Sequence, residues 1–307
     1  MVIVVAAILT VLVGLALWYG FFFIRDLLAH KANLGPEKGW IAYPIGLVTD
    51  FLDTLGIGSF ATTTLGFKIT KFLKNDELLP GTLNVGHTIP VILEAVIFIT
   101  VVEVEALTLI SMVVAAMLGS WLGAKWVSKL SERKVQRVMG IALAVTAILM
   151  ALQSLKVLDI LGRGNEAMGL SGILLVVAII GNFILGALMT AGIGLYAPCM
   201  ALVYMLGLNP LVAFPIMMTS CAALMPVASF EFVKYSRYSK KGAIGLTIGG
   251  ILGVIAAVTL VTSLDLTLLT WLIIAVVLYT SVTMILQSAK PAATPVAPSP
   301  TEYHKGA

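Results

Sequence analysis

The chain has 307 residues, of which 60% are hydrophobic and only 11% charged, and its mean hydropathy is +1.06. Soluble domains carry about 25% charged residues, so a soluble enzyme and a disordered chain are both excluded. The net charge of +4 sits in short segments between apolar runs, where it acts as a topology signal rather than a nucleic-acid surface.

The first apolar run, Val2 to Phe23, is long enough to span a bilayer. It lacks a basic leader and an obvious small-residue cleavage site, so a retained helix is expected, followed by a basic loop with Arg25, Lys31 and Lys38. Residues 1–39 thus form an extra membrane helix and its loop. A segment from Trp40 to Ile57 then meets a glycine break, and a run of about 14 residues leads on to Phe72. Neither piece reaches the ~20 residues that a spanning helix needs, so the pair is predicted to enter the membrane as a hairpin with Gly56 to Ser59 at depth. Further helices are predicted over Leu83 to Val101, Leu107 to Val127 and Val135 to Leu152. After a linker, residues 155–168, the pattern resumes: Gly169 to a second break at Gly192 to Gly194, a short run to Leu208, then Leu211 to Phe232, Ala243 to Thr262 and Leu266 to Ile285. The tail, residues 288–307, is rich in proline and alanine and is predicted to be disordered.

Two octets carry the plan. Thr-Leu-Gly-Ile-Gly-Ser-Phe-Ala at Thr54 to Ala61 returns as Thr-Ala-Gly-Ile-Gly-Leu-Tyr-Ala at Thr190 to Ala197, 136 positions later. Gly119 and Gly253, and the stretches ending in Gln153-Ser154 and Gln287-Ser288, recur at an offset of 134. The chain therefore reads as two repeats, residues 40–154 and 169–287. Loop charge orients them. Glu103 and Glu105 lie in the earlier loop of the first copy, and Lys125, Lys129, Arg133, Lys134 and Arg137 in its later loop. In the second copy Lys234, Arg237, Lys240 and Lys241 come first, and only Asp265 comes later. By the positive-inside rule the copies are inverted. The expected fold is all-α: a multi-pass cell-membrane protein built from an inverted repeat with two glycine-broken re-entrant helical hairpins.

The broken hairpin, the small-residue helix after it and the run Gly119 to Val135, all present twice, resemble the sulfite exporter TauE/SafE family of membrane permeases, over about Pro44 to Ser288. The glycine cluster is reduced here to Gly-Ile-Gly, and only the second copy keeps a proline after it, Pro198. The resemblance implies movement of a small sulfur-containing or organic anion across the membrane.

Inverted copies would bring the two breaks together near the midplane, where helix N-termini offer free amides and partial positive charge to an anion. Candidate substrate-binding residues are Gly56, Gly58, Ser59, Thr62 and Thr63 in the first hairpin, and Gly192, Gly194 and Tyr196 in the second. Asn84, His87 and Thr88, with Thr219 and Ser220 opposite, complete the set. The competing reading is that the glycines only allow close packing and the hydroxyls bond their own helices. Asp53 and His87 are the candidate proton-coupling pair, and Asp50, Glu94 and Glu231 are the other carboxylates in apolar sequence. Cys199 and Cys221 define no disulfide framework, and no spacing around His87 suits a metal, so neither cofactor nor metal is expected. The expected partners are a small anion and membrane lipid, with no nucleic acid. The leading reading is a secondary transporter and not an enzyme; an intramembrane hydrolase and an assembly factor for another membrane complex are the alternatives.

Overall fold

A computed structural model describes residues 2–127, 132–155, 166–189, 195–263 and 265–289, and the described part is all-helical. Eleven α-helices are described: α1 (Val2–Ala29), α2 (Ala42–Thr54), α3 (Ser59–Ile69), α4 (Leu79–Val101), α5 (Ala106–Val127), α6 (Glu132–Ser154), α7 (Gly172–Met189), α8 (Tyr196–Met205), α9 (Ala213–Lys234), α10 (Lys240–Ser263) and α11 (Leu266–Ala289). Six of them, α1, α4, α7, α9, α10 and α11, are long and apolar enough to cross a membrane. Leu17, Trp121, Ile173, Leu252 and Leu286 are each more than half exposed on the outer surface, an arrangement that suits lipid and not water.

The helices follow the apolar runs; α1, α4, α6, α10 and α11 extend past them, whereas α2, α3 and α8 stop short of the expected ends. The first helix runs on to Ala29, so Arg25 belongs to its last turns and not to a loop. The last continues to Ala289, just past the expected start of the tail. Residues 290–307, most of the linker, and Gly192 and Gly194 of the second break lie outside the described residues.

The first break is present as a stop between α2 and α3. The amide of Gly56 donates to the Asp53 carbonyl at 2.7 Å and that of Ile57 to the Leu52 carbonyl at 3.0 Å, the Schellman pairing that closes a helix on a glycine. Gly56 and Gly58 have φ of +91° and +92°, which L side chains resist. The chain then folds back, so Gly66 of α3 packs against Ile45 of α2, and Ala42, Phe67 and Phe72 share one apolar cluster.

Elements from distant parts of the sequence pair closely. α2 lies along α10 and α5 along α7, while α4 meets α9 and α6 meets α11. Glycines set the approach: a Cβ on Gly245, Gly249 or Gly253 would strike Ala42, the Tyr43 carbonyl or the Leu47 carbonyl, and one on Gly119 would strike the Phe183 carbonyl. This is the small-residue packing that apolar helices use when burial from water gives no drive to associate.

The ends of the bundle can be told apart. At one end Lys240 pairs with Asp26 at 3.5 Å, Tyr238 donates to Asp26, and Gly81 lies against the Arg237 carbonyl. The open end of the α2–α3 hairpin is on this side, since Gly39 meets Lys241. At the other end the Glu105 amide donates to Met168 and the Asn209 amide to Ala167, which places the start of α7 and the end of α8 there. Two further features recur at the 136-residue offset: positive φ at Lys71 and Gly207, and an interior proline at Pro90 and Pro226.

Candidate functional site

The site grows from the last turns of α2. Asp50, Asp53 and Thr54 are spaced three and four apart, so all three face inward, and each is buried. On α4, His87 and Glu94 are two turns apart and hence on one face, which packs toward α2. His87 is eight residues from Leu79 and Glu94 seven from Val101, well inside the span.

These faces meet in a hydrogen-bonded chain. His87 Nδ1 lies 2.8 and 2.9 Å from the two Asp50 carboxylate oxygens, and its Nε2 lies 2.9 Å from Thr63 Oγ1 on α3. All three side chains are fully buried. The Phe60 ring covers the imidazole at 6.0 Å between centroids. A carboxylate on Nδ1 fixes that nitrogen as the donor, while the hydroxyl on Nε2 can donate to a neutral ring or accept from a protonated one. The chain can thus hold or release a proton without losing a partner.

Asp53 and Thr54 open a second branch. Asp53 Oδ1 accepts from the Ser59 amide at 2.7 Å, so the N-terminus of α3 is capped by a carboxylate from the preceding helix. Thr54 Oγ1 donates to Glu94 Oε1 at 2.7 Å. Asp53 Oδ2 and Glu94 Oε2 are buried and have no hydrogen-bond partner among the described residues. Tyr196 of α8 and Cys221 of α9 stand beside this pair, so both halves of the chain contribute to one centre.

Backbone arrangement makes room for it. Pro90 cannot donate to the Gly86 carbonyl four residues back, and Thr247 of α10 takes that acceptor at 2.8 Å. Gly250 of α10 faces the centre, where a Cβ would lie 2.5 Å from Asp50 Oδ2 and 2.6 Å from the Pro90 ring.

The structure brings Asp53, Ser59, Thr63, His87 and Tyr196 to one centre, and Gly56 and Gly58 form the break that precedes α3. Other candidates point elsewhere. Thr62 bonds the Gly58 and Ser59 carbonyls of its own helix, Asn84 bonds the Pro80 carbonyl, and Ser220 bonds the Ile216 carbonyl. Thr88 meets Ser229 of α9 at 2.7 Å. Thr219 is buried, and its hydroxyl has no hydrogen-bond partner among the described residues. Among the described residues no group of three His, Cys, Asp or Glu side chains is placed to hold a metal.

Asp50, Glu94 and Gly250 were not among the primary candidates. The signal for Asp50 and Glu94 was in the sequence, as same-face spacings with Asp53 and His87, whereas Gly250 has none beyond being one of many glycines in α10.

Fold and site together define a helical, multi-span membrane protein with a buried carboxylate–imidazole–hydroxyl centre beside a broken helix. Compared with known proteins, the chain matches no family model, no curated protein and no solved structure.

Proposed function

We propose that the protein is a secondary transporter that moves a small anion, sulfur-containing as in the family it resembles, by alternating access and with protons as the coupling ion. The Asp50–His87–Thr63 chain carries this reading, because ionisable side chains are costly inside a membrane bundle and mark ion paths where they occur. The pairing of α2 with α10 and of α5 with α7, the hairpin ends at opposite ends of the bundle, and the features recurring at 136 residues support an inverted repeat with re-entrant hairpins.

The α3 N-terminus suggests how coupling works. An ionised Asp53 occupies the Ser59 amide and repels an anion. Protonating Asp53 weakens its hold and frees the amide, so anion entry depends on proton uptake. In proteoliposomes, transport of sulfite, thiosulfate or a sulfonate should respond to an imposed pH gradient, and Asp50→Asn, Asp53→Asn or His87→Ala should remove that response. Transport by all three variants with the wild-type response would overturn the coupling.

A second reading comes from the same chain, since carboxylate to Nδ1 and hydroxyl to Nε2 is the connectivity of an acid–base–nucleophile relay. Thr63 lies in the second turn of α3, where the helix itself uses the amides that an oxyanion hole would need, so transport is preferred. Covalent labelling of Thr63 by a fluorophosphonate, lost in Thr63→Ala, would favour the hydrolase.

A further inference from the structure

Beside the Asp50–His87 pair, the carboxyls of Asp53 and Glu94 form an arrangement that the pair does not use. Each has one oxygen committed, Asp53 Oδ1 to the Ser59 amide and Glu94 Oε1 to the Thr54 hydroxyl. Each has its other oxygen buried and without a partner in good hydrogen-bond geometry among the described residues, although the Tyr196 hydroxyl stands beside Glu94 and can donate to it. Glu94 is fully buried and Asp53 is 2% exposed.

Charge counting shows what is missing. Asp50, Asp53 and Glu94 would bring three negative charges, against one positive charge on His87, which leaves an excess of two when all are ionised. The other titratable groups that face the pair are Tyr196 on α8 and Cys221 on α9, with Cys199 behind it, and none of these brings positive charge. α3 presents Ser59 and Thr63, α10 presents Gly250, and α11 presents Val276 near Gly56. Two adjacent carboxylates in a low-dielectric interior do not both ionise without a compensating cation.

The geometry points to one bound proton held at the Asp53–Glu94 pair, on Asp53 Oδ2 or Glu94 Oε2, a site separate from the Asp50–His87 pair. With the proton on Glu94, the remaining negative charge rests on Asp53, where the Ser59 amide and the positive end of α3 stabilise it. A metal ion fits less well. It would need a shell of several oxygens, and among the described residues no group of three His, Cys, Asp or Glu side chains is placed to hold one. Use of this proton to drive transport rests on the reading above, but its occupancy does not.

Infrared difference spectroscopy of the purified full-length protein, between neutral and alkaline buffer, reads the carbonyl stretch of a protonated carboxylic acid. The wild type should show this band at neutral pH, Asp53→Asn and Glu94→Gln should each remove it, and Glu231→Gln, an exposed carboxylate, should keep it. The double variant Asp53→Asn/Glu94→Gln leaves no acid in the pair, and its thermal unfolding checks that loss of the band is not loss of the fold. Absence of the band in folded wild type, or its persistence in folded Glu94→Gln, overturns the site. Thermal stabilisation by sodium over choline, abolished in Glu94→Gln, also overturns it by identifying sodium as the occupant. A site that passes these tests while transport ignores the pH gradient would refute the coupling and leave the proton site standing.

Discussion

Removing His87 should destabilise the protein more than removing His87 and Asp50 together. In His87→Ala the Asp50 carboxyl loses its bond to Nδ1 and Thr63 loses its partner, with both groups fully buried. Breaking a buried pair from one side costs about 3–5 kcal/mol, because the remaining charge is uncompensated. The variant also leaves a space the size of an imidazole, which adds to the cost in the single and the double variant alike. Asp50→Asn/His87→Ala removes the orphan charge, so the double variant should recover roughly 1–3 kcal/mol of that loss, the range for coupled neighbours. Unfolding in mixed micelles, followed by tryptophan fluorescence for the wild type, both single variants and the double variant, gives the coupling energy. A coupling below about 0.5 kcal/mol, the additivity limit for independent sites, would show that the pair carries no charge and refute the proposed relay.

Gly58→Ala tests the break alone, because a Cβ there meets nothing within 4 Å while φ is +92°; it should lose about 1–3 kcal/mol in the same unfolding assay, and an unchanged midpoint would show that the break is not strained. Gly250→Ala should push Asp50 off His87, since its Cβ would sit 2.5 Å from the Asp50 carboxylate, and should reproduce the transport defect of Asp50→Asn; wild-type pH response would mean that the contact yields without cost. Tyr238, in the turn between α9 and α10, has its phenol pushed up by burial and by the neighbouring Asp26. Its folded pKa lies above the unfolded value near 10, so its contribution is intact below about pH 10 and is lost as pH rises further. Stability should fall above that point in the wild type and fall less in Tyr238→Phe; parallel pH curves would remove Tyr238 as the cause.

Much of this molecule was legible in one dimension. Helix positions followed from apolar runs because a lipid-facing backbone must satisfy its own hydrogen bonds, which leaves helix as the sole solution for each run. The stop at Gly56 was legible for the same local reason, since Gly-Ile-Gly supplies the positive φ that a Schellman ending requires. Local bonding also decided the fate of Thr62, Asn84 and Ser220, each of which bonds a carbonyl of its own helix three or four residues back.

Tertiary structure decided what the buried acids do. Sequence spacing put Asp50 and Asp53 on one face of α2, and His87 and Glu94 on one face of α4, but it did not determine that these faces meet. That required α10, whose glycines let it lie against α2 at backbone distance, whose Thr247 takes the carbonyl freed by Pro90, and whose Gly250 leaves room for the Asp50 carboxylate. A charge inside a membrane is tolerated only with a partner, and the partners here lie 37 residues apart for Asp50 and His87 and 40 for Thr54 and Glu94. Periodicity along one helix determines which face is polar; only the packing of three helices determines which polar faces can share a proton.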